Sequence, residues 1–222
     1  VLLSDTQIKT ALASGSIKIE PYIDANVQPS SLDIRLGATV NVLGDSNLVD
    51  LGSEEDLSPR FREVDIGPTG YVLEPGKSIY GSAMERISFG SHAGIVFTRS
   101  SLGRIGLICN VSGYANPGYD GHLPLVIANL GNNPVRLIPG RRVAQVGFIP
   151  VEEVGRMYSE KKGKYLGEEG PTTSRHHLDP ELKDLLRKMG VPSRHLEKTA
   201  DFLDRRIDEV AASTTQPPKR DR

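Results

Sequence analysis

Between residues 17 and 148 the apolar positions fall into short alternating or β-rich runs, at 31–36, 39–43, 70–73, 78–83, 94–98, 107–111, 123–128, 134–138 and 142–149. A period of two puts successive side chains on opposite faces, which is the pattern of a half-buried strand. Turn-forming stretches separate the runs, among them Glu74-Pro75-Gly76, Asn116-Pro117-Gly118, Gly131-Asn132-Asn133-Pro134 and Pro139-Gly140. Regular short strands without long helices between them predict an antiparallel sandwich or a jelly-roll-like barrel. Pro124 removes a ladder donor from its run, so that segment is expected at an edge or a bulge.

The two ends of the chain break this pattern. Ser4-Asp5-Thr6-Gln7 precedes Ile8, Ala11 and Leu12, and Gly15 follows, which predicts an N-capped helix of about three turns. Residues 44–68 are acidic and weakly periodic and read as a surface excursion. Residues 155–177 are rich in Gly, Lys, Glu and Ser/Thr with no hydrophobic period, which predicts a flexible arm. Two helices are expected after it. One spans 179–188, opened by Asp179-Pro180 and ended by Gly190; the other spans 193–212, with Leu196, Ala200, Leu203, Ile207 and Val210 as an apolar stripe. The expected organisation is a β domain at 1–154, the arm at 155–177, a helical extension at 178–213 and a disordered tail at 214–222.

Composition narrows the chemistry. The chain has 222 residues, 37% of them hydrophobic, which is enough for one sizeable core plus an appendage. With 27 basic and 28 acidic residues the net charge is −1, so no overall field favours nucleic acid or a membrane surface, and any anion site must be local. No apolar run approaches the roughly 18 residues of a membrane span. One cysteine, Cys109, excludes an intrachain disulfide and a cysteine-cluster metal site, and a cytoplasmic location is expected.

A local anion site is offered at Arg99-Ser100-Ser101-Leu102-Gly103-Arg104. Arginine donates in a fork and serine hydroxyls add short neutral donors, so two of each at a turn suit phosphate oxygens. Downstream lies Asn116-Pro117-Gly118-Tyr119-Asp120-Gly121-His122. Together with Gln28-Pro29-Ser30-Ser31-Leu32-Asp33-Ile34-Arg35-Leu36-Gly37, Ala144-Gln145 and the Lys164-Tyr165 to Gly170-Pro171-Thr172-Thr173-Ser174-Arg175 stretch, these motifs resemble the dCTP deaminase branch of the dUTPase superfamily. The likeness runs in order over residues 1–177 and leaves out the C-terminal helices.

The resemblance implies a mainly β, jelly-roll-like dUTPase-type subunit with the short N-terminal helix and the two C-terminal helices added. It also implies a homotrimer with sites between subunits, Mg²⁺ carried by the substrate triphosphate, and action on deoxypyrimidine nucleoside triphosphates. Carried over by position, triphosphate contacts fall on Arg99, Ser100 and Ser101, with Arg104 nearer the reacting end. Gln145 either donates to a phosphate or caps a neighbouring backbone group. Lys164 and Tyr165 match the arm that closes over the phosphates, Tyr158 an aromatic just upstream, and Glu168 a further contact on the arm. Asp33 and Arg35 fall in a stretch that serves subunit contact and folding, and no chemistry is expected of them.

Three positions depart from the family pattern. A glutamate five residues beyond the motif glycine is replaced by Val126, and a valine can neither activate water nor protonate departing ammonia. Asn116 stands where aspartate is usual; the amide keeps hydrogen bonds and loses basicity. Glu168 stands where the arm usually carries glutamine. Glu152, Glu153, Glu168 and Glu169 are the candidates for a substitute carboxylate. The expectation is an enzyme acting on dCTP or dUTP, with Arg104 and Asn116 as its catalytic candidates. Val126 tilts the chemistry from deamination towards cleavage of dUTP to dUMP and pyrophosphate. The alternative is a catalytically silent, nucleotide-binding regulator of the same fold.

Overall fold

The computed structural model describes residues 1–44, 48–110, 114–161 and 163–189. A helix, α1 (Asp5–Ala13), precedes β1 (Lys18–Glu20), β2 (Val27–Gln28), β3 (Ser31–Leu43), β4 (Phe61–Asp65), β5 (Tyr71–Leu73), β6 (Ser78–Ser88) and β7 (His92–Thr98). A single helical turn, α2 (Ser100–Gly103), leads to β8 (Leu107–Asn110), β9 (Asp120–Asn129), β10 (Val135–Leu137), β11 (Arg142–Pro150) and, at the end, α3 (Pro180–Met189). Two compact units result, one of residues 1–43 and 61–173, the other of 44–60 and 174–222.

The first unit is built on one antiparallel sheet in the order β7-β11-β3-β6-β9-β8, with β1 on β6, and β2 and β4 on β3; β10 and β5 pair separately. Its two end strands meet. Thr98 Oγ1 donates to the Cys109 carbonyl and accepts from the Cys109 N–H, both at 2.8 Å, and Gly94 bridges Ala115, which draws the sheet into a barrel. Its interior holds Phe89, Phe148, Leu32, Ile34, Leu36, Leu125 and Ile127. α1 adds Ile8 and Ala11 to that core and starts with a capping box, in which Ser4 Oγ accepts the Gln7 N–H and Gln7 Oε1 accepts the Ser4 N–H.

Several expected strands are longer than their apolar runs. The runs at 31–36 and 39–43 belong to one strand, β3, whose register against β6 shifts between Leu36 and Val40. The expected surface excursion at 44–68 contains β4, paired with the end of β3. Pro124 lies inside β9, next to a register shift between Ser82 and Arg86 of β6. The irregularity on the β6 side is the bulge that its presence predicts.

On β6, Glu85 falls in phase with the buried Ile79, Gly81, Ala83 and Ile87 and so faces inward. Its Oε1 accepts from Arg35 Nε at 2.7 Å and its Oε2 from the Arg35 backbone N–H at 2.9 Å, in a nearly closed environment between β3 and β6. Cys109 is also buried, and desolvation pushes its thiol up to about 12. A thiolate is the reacting species, so the folded protein is expected to leave an aromatic disulfide reagent unconsumed at pH 8 and to titrate one thiol only after denaturation.

In the second unit, 3₁₀ turns at Ser58–Arg60 and His176–Leu178 accompany α3. Arg60 Nη1 donates to the Leu48 carbonyl at 3.1 Å, and His177 Nδ1 lies 3.8 Å from Asp56. α3 is the helix expected at 179–188; the helix expected at 193–212 and the tail at 214–222 lie outside the described residues.

Candidate active site

The phosphate-type residues gather where β7, β11 and β3 lie side by side. Gln145 on β11 sits opposite Asp33 of β3 on one side and Phe97 of β7 on the other, so the three share one face of the sheet. Directly after β7, the Arg99 N–H reaches the Val143 carbonyl and the Arg99 carbonyl accepts from the Gly103 N–H, closing the single turn of α2. Ser100, Ser101 and Arg104 are exposed on that turn. Asp33, 2% exposed at its side chain, forms an ion pair with Arg99 Nε at 3.2 Å and accepts a hydrogen bond from Arg142 Nη1 at 3.1 Å. The sequence reading assigned this carboxylate no chemistry. The one clue was a charged residue between Leu32 and Ile34, which have to be buried on both sides of it.

A second group forms around the Asn116 turn. The Tyr119 N–H donates to the Asn116 carbonyl at 3.0 Å, and Gly118 has φ +82°, so Asn116-Pro117-Gly118-Tyr119 is a β-turn with proline second and a left-handed glycine third. Against it lies the arm, which was expected to be flexible and is held by named bonds. The Tyr158 N–H donates to the Pro117 carbonyl at 2.8 Å, the Gly167 N–H to Asp120 at 2.9 Å, and the His122 N–H to the Glu168 carbonyl at 2.9 Å. Tyr158 stacks at a tilt on Tyr119 with ring centres 6.0 Å apart, and its hydroxyl accepts from the Tyr165 N–H. Lys164 Nζ lies 5.9 Å from the Tyr165 ring centre.

Glu168 is buried here, 5% exposed, with Oε2 3.1 Å from the Tyr119 hydroxyl. Burial, followed by the Glu168 charge, raises the Tyr119 hydroxyl above its ordinary range, so it serves as a donor and stays protonated. Glu169 pairs with Arg86 Nη1 at 3.3 Å, and Arg86 Nε pairs with Asp120 at 2.6 Å. Between arm and barrel this leaves a cavity of about 440 Å³ lined by Arg86, Ser88, Gly118, Asp120, Ser159 and Gly167, among others.

Within one chain the two groups stand apart. Gly94 is bridged to Ala115, the neighbour of Asn116, whereas Arg99 follows five residues later along an extended strand, about 17 Å away. Val126 is half-buried, with Tyr80 of β6 and Asn110 of β8 as its cross-strand neighbours. The other residues on its face of β9 are Asp120, His122, Pro124 and Ala128. The one carboxylate among them, Asp120, opens the strand six residues before Val126 and is paired with Arg86. Of the four candidate substitutes, Glu152 and Glu153 are exposed after β11, and Glu168 and Glu169 sit on the docked arm. Among the described residues no three His, Cys, Asp or Glu side chains converge on a common point. The donors present are guanidinium, hydroxyl and ammonium groups, which suit phosphate oxygens; a Mg²⁺ ion fits this site only as a rider on the phosphates.

The sequence model described as dCTP deaminase-like matches residues 2–151. A protein of Coprothermobacter proteolyticus named dCTP deaminase, dUMP-forming, is 36% identical over 182 residues, 81% of this chain and 98% of that protein. One of the same name from Corynebacterium jeikeium is 33% identical over 185 residues, again 81% of this chain and 98% of the relative. Among solved structures, the 2′-deoxycytidine 5′-triphosphate deaminase of Agrobacterium tumefaciens superposes with a TM-score of 0.52 at 28% identity, over 68% of this chain and 48% of that one. Matched over residues 2–151 by that model and over most of its length by these relatives, the chain belongs to the dCTP deaminase-like family.

Proposed function

We propose that this protein is a cytoplasmic enzyme that binds a deoxypyrimidine nucleoside triphosphate with Mg²⁺ in sites shared between subunits of a homotrimer, and cleaves dUTP to dUMP and pyrophosphate without deaminating dCTP. The observation that carries this reading is Val126, half-buried between Tyr80 and Asn110, with Pro124 and Ala128 as its neighbours on that face of β9 and the one carboxylate there, Asp120, held by Arg86 at the start of the strand. Exchanging the 4-amino group of cytosine for oxygen needs a base to activate water and an acid to release ammonia. Cleavage needs neither at the base. It needs charge stabilisation along the triphosphate and a water aligned on the α-phosphorus.

For that chemistry Arg99, Ser100, Ser101 and Gln145 grip the phosphates and Arg104 meets charge developing on the leaving pyrophosphate. Asn116 hydrogen-bonds the sugar, and Tyr158, Lys164 and Tyr165 close over the ligand from the arm. Glu168, buried beside the Asn116 turn against Tyr119, takes the proton of the attacking water. Mg²⁺ on the phosphates neutralises part of their charge. The separation of the Arg99 group from the arm group supports a site completed by a neighbouring subunit, and so do Phe97, Ile105, Ile108 and Leu130, apolar and exposed on and beside β7 and β8.

Incubation with dCTP or dUTP and Mg²⁺, resolving nucleotides, ammonia and pyrophosphate, is expected to yield dUMP and pyrophosphate from dUTP and no ammonia from dCTP. Ammonia from dCTP overturns the assignment. The silent regulator is the second reading, favoured by the amide at Asn116, and it is the outcome if dUTP binds in an Arg99-dependent way with no turnover.

A further inference from the structure

We infer that Arg142 is a second phosphate-contacting cation and that Asp33 is the positioning residue that makes one anion receptor of Arg142 and Arg99; this rests on the triphosphate reading above. Asp33 projects from β3 between Leu32 and Ile34 and is almost wholly enclosed. An ionised carboxylate in such a place is costly unless its oxygens are taken by cationic donors. Both are taken, and by residues from different parts of the chain. Oδ1 is ion-paired with Arg99, which follows β7, and Oδ2 accepts from Arg142, which opens β11.

The donors left over decide what the cluster can do. Arg99 spends Nε on Asp33 and Arg142 spends Nη1, so both Nη groups of Arg99 and the Nε and Nη2 of Arg142 remain for other acceptors. The Arg99 side chain is 25% exposed and that of Arg142 43%, so water or a ligand reaches both. Two guanidinium groups repel one another and would spread apart on flexible stems. A shared, immobile carboxylate cancels one charge, holds the pair together and leaves a net positive charge beside Gln145 and the Ser100 turn. Two planar forks held at a fixed separation match consecutive phosphate groups better than a single arginine does.

A purely structural triad of Asp33, Arg99 and Arg142 makes a different prediction, because it affects stability and leaves anion affinity alone. The test is calorimetric titration of the wild type, Arg142→Gln, Arg142→Lys and Asp33→Asn with inorganic tripolyphosphate and with dUTP. Arg142→Gln, at a partly exposed position that the fold tolerates, is expected to weaken both ligands by about tenfold or more, the loss of charge-assisted bonds. Arg142→Lys recovers part of this through its charge, without the fork. Asp33→Asn, which touches no ligand, weakens both as well, and Asp33→Asn with Arg142→Gln weakens them by less than the product of the two single losses. If Asp33→Asn does not fold, Arg142→Gln and Arg142→Lys carry the test. Wild-type protein that binds dUTP, with Arg142→Gln binding both ligands equally well, overturns this inference alone. Wild-type protein that binds neither ligand overturns the triphosphate reading with it.

Discussion

Replacing Glu85 by alanine is expected to lower the stability of the folded chain by about 3–5 kcal/mol, the usual cost of leaving one member of a buried ion pair without its partner. The carboxylate, 2% exposed, answers two donors of one residue, the guanidinium and the backbone N–H of Arg35. Alanine removes both acceptors at once and opens a void at the β3–β6 seam. Arg35, 17% exposed at its side chain, has little water to turn to. For a chain of this size a loss of that order shifts the melting midpoint by roughly 6–20 °C. Glu85→Gln keeps an acceptor for the backbone N–H and loses the charge, so its effect is smaller. Converting both Glu85 and Arg35 to methionine approaches neutrality, because no orphaned charge remains. Thermal and urea unfolding of the three variants measures this. A loss below about 1 kcal/mol for Glu85→Ala would mean that the pair is solvated in practice and that the seam owes its strength to Leu36, Ala83 and Ile87 alone.

Pairs of this kind explain which parts of the molecule were legible in the sequence. Alternation identified the strands because one face of each meets the Phe89–Phe148 core, and the cap at Ser4 was readable because its partners lie within three residues. The turn at Ser100–Gly103 is likewise closed by bonds among adjacent residues, from Arg99 to Gly103. Asp33 and Glu85 were not readable, since their partners Arg99, Arg142 and Arg35 come from other strands and only the register of the barrel brings them together. β4 was missed because Phe61–Asp65 is a partly exposed edge strand, with two consecutive exposed residues that hide its period. Loose composition made the arm look mobile, yet its order comes from backbone bonds at Pro117, Asp120 and His122, which leave no trace in side-chain pattern. Glu168, which stands where the arm usually carries glutamine, has its partner Tyr119 49 residues away, a contact that only the docking of the arm creates.

Mixing two inactive variants is expected to restore about a quarter of the wild-type sites. In the proposed homotrimer each site takes its Arg99 group from one subunit and its Asn116 turn and arm from the next. Arg99→Ala removes a guanidinium that Asp33 orients, and is expected to abolish measurable dUTP binding when every subunit carries it. Lys164→Ala together with Tyr158→Ala strips the arm of its cation and of the ring packed on Tyr119, and disables the other half of each site. Random reassembly of equal amounts gives about three mixed trimers in four, and in any mixed ring one junction joins an intact Arg99 group to an intact arm. Each mixed trimer then has one working site of three, which gives about a quarter of the wild-type number. Co-refolding or co-expression of differently tagged variants, followed by titration of dUTP against isolated mixed trimers, measures the stoichiometry directly. Two intact halves within one subunit would leave every mixed trimer as silent as its parents. Recovery near one site per trimer therefore fixes two things at once: that the roughly 17 Å between Gly94 and Arg99 is bridged by a neighbour, and that Arg99 and the arm contact the same ligand.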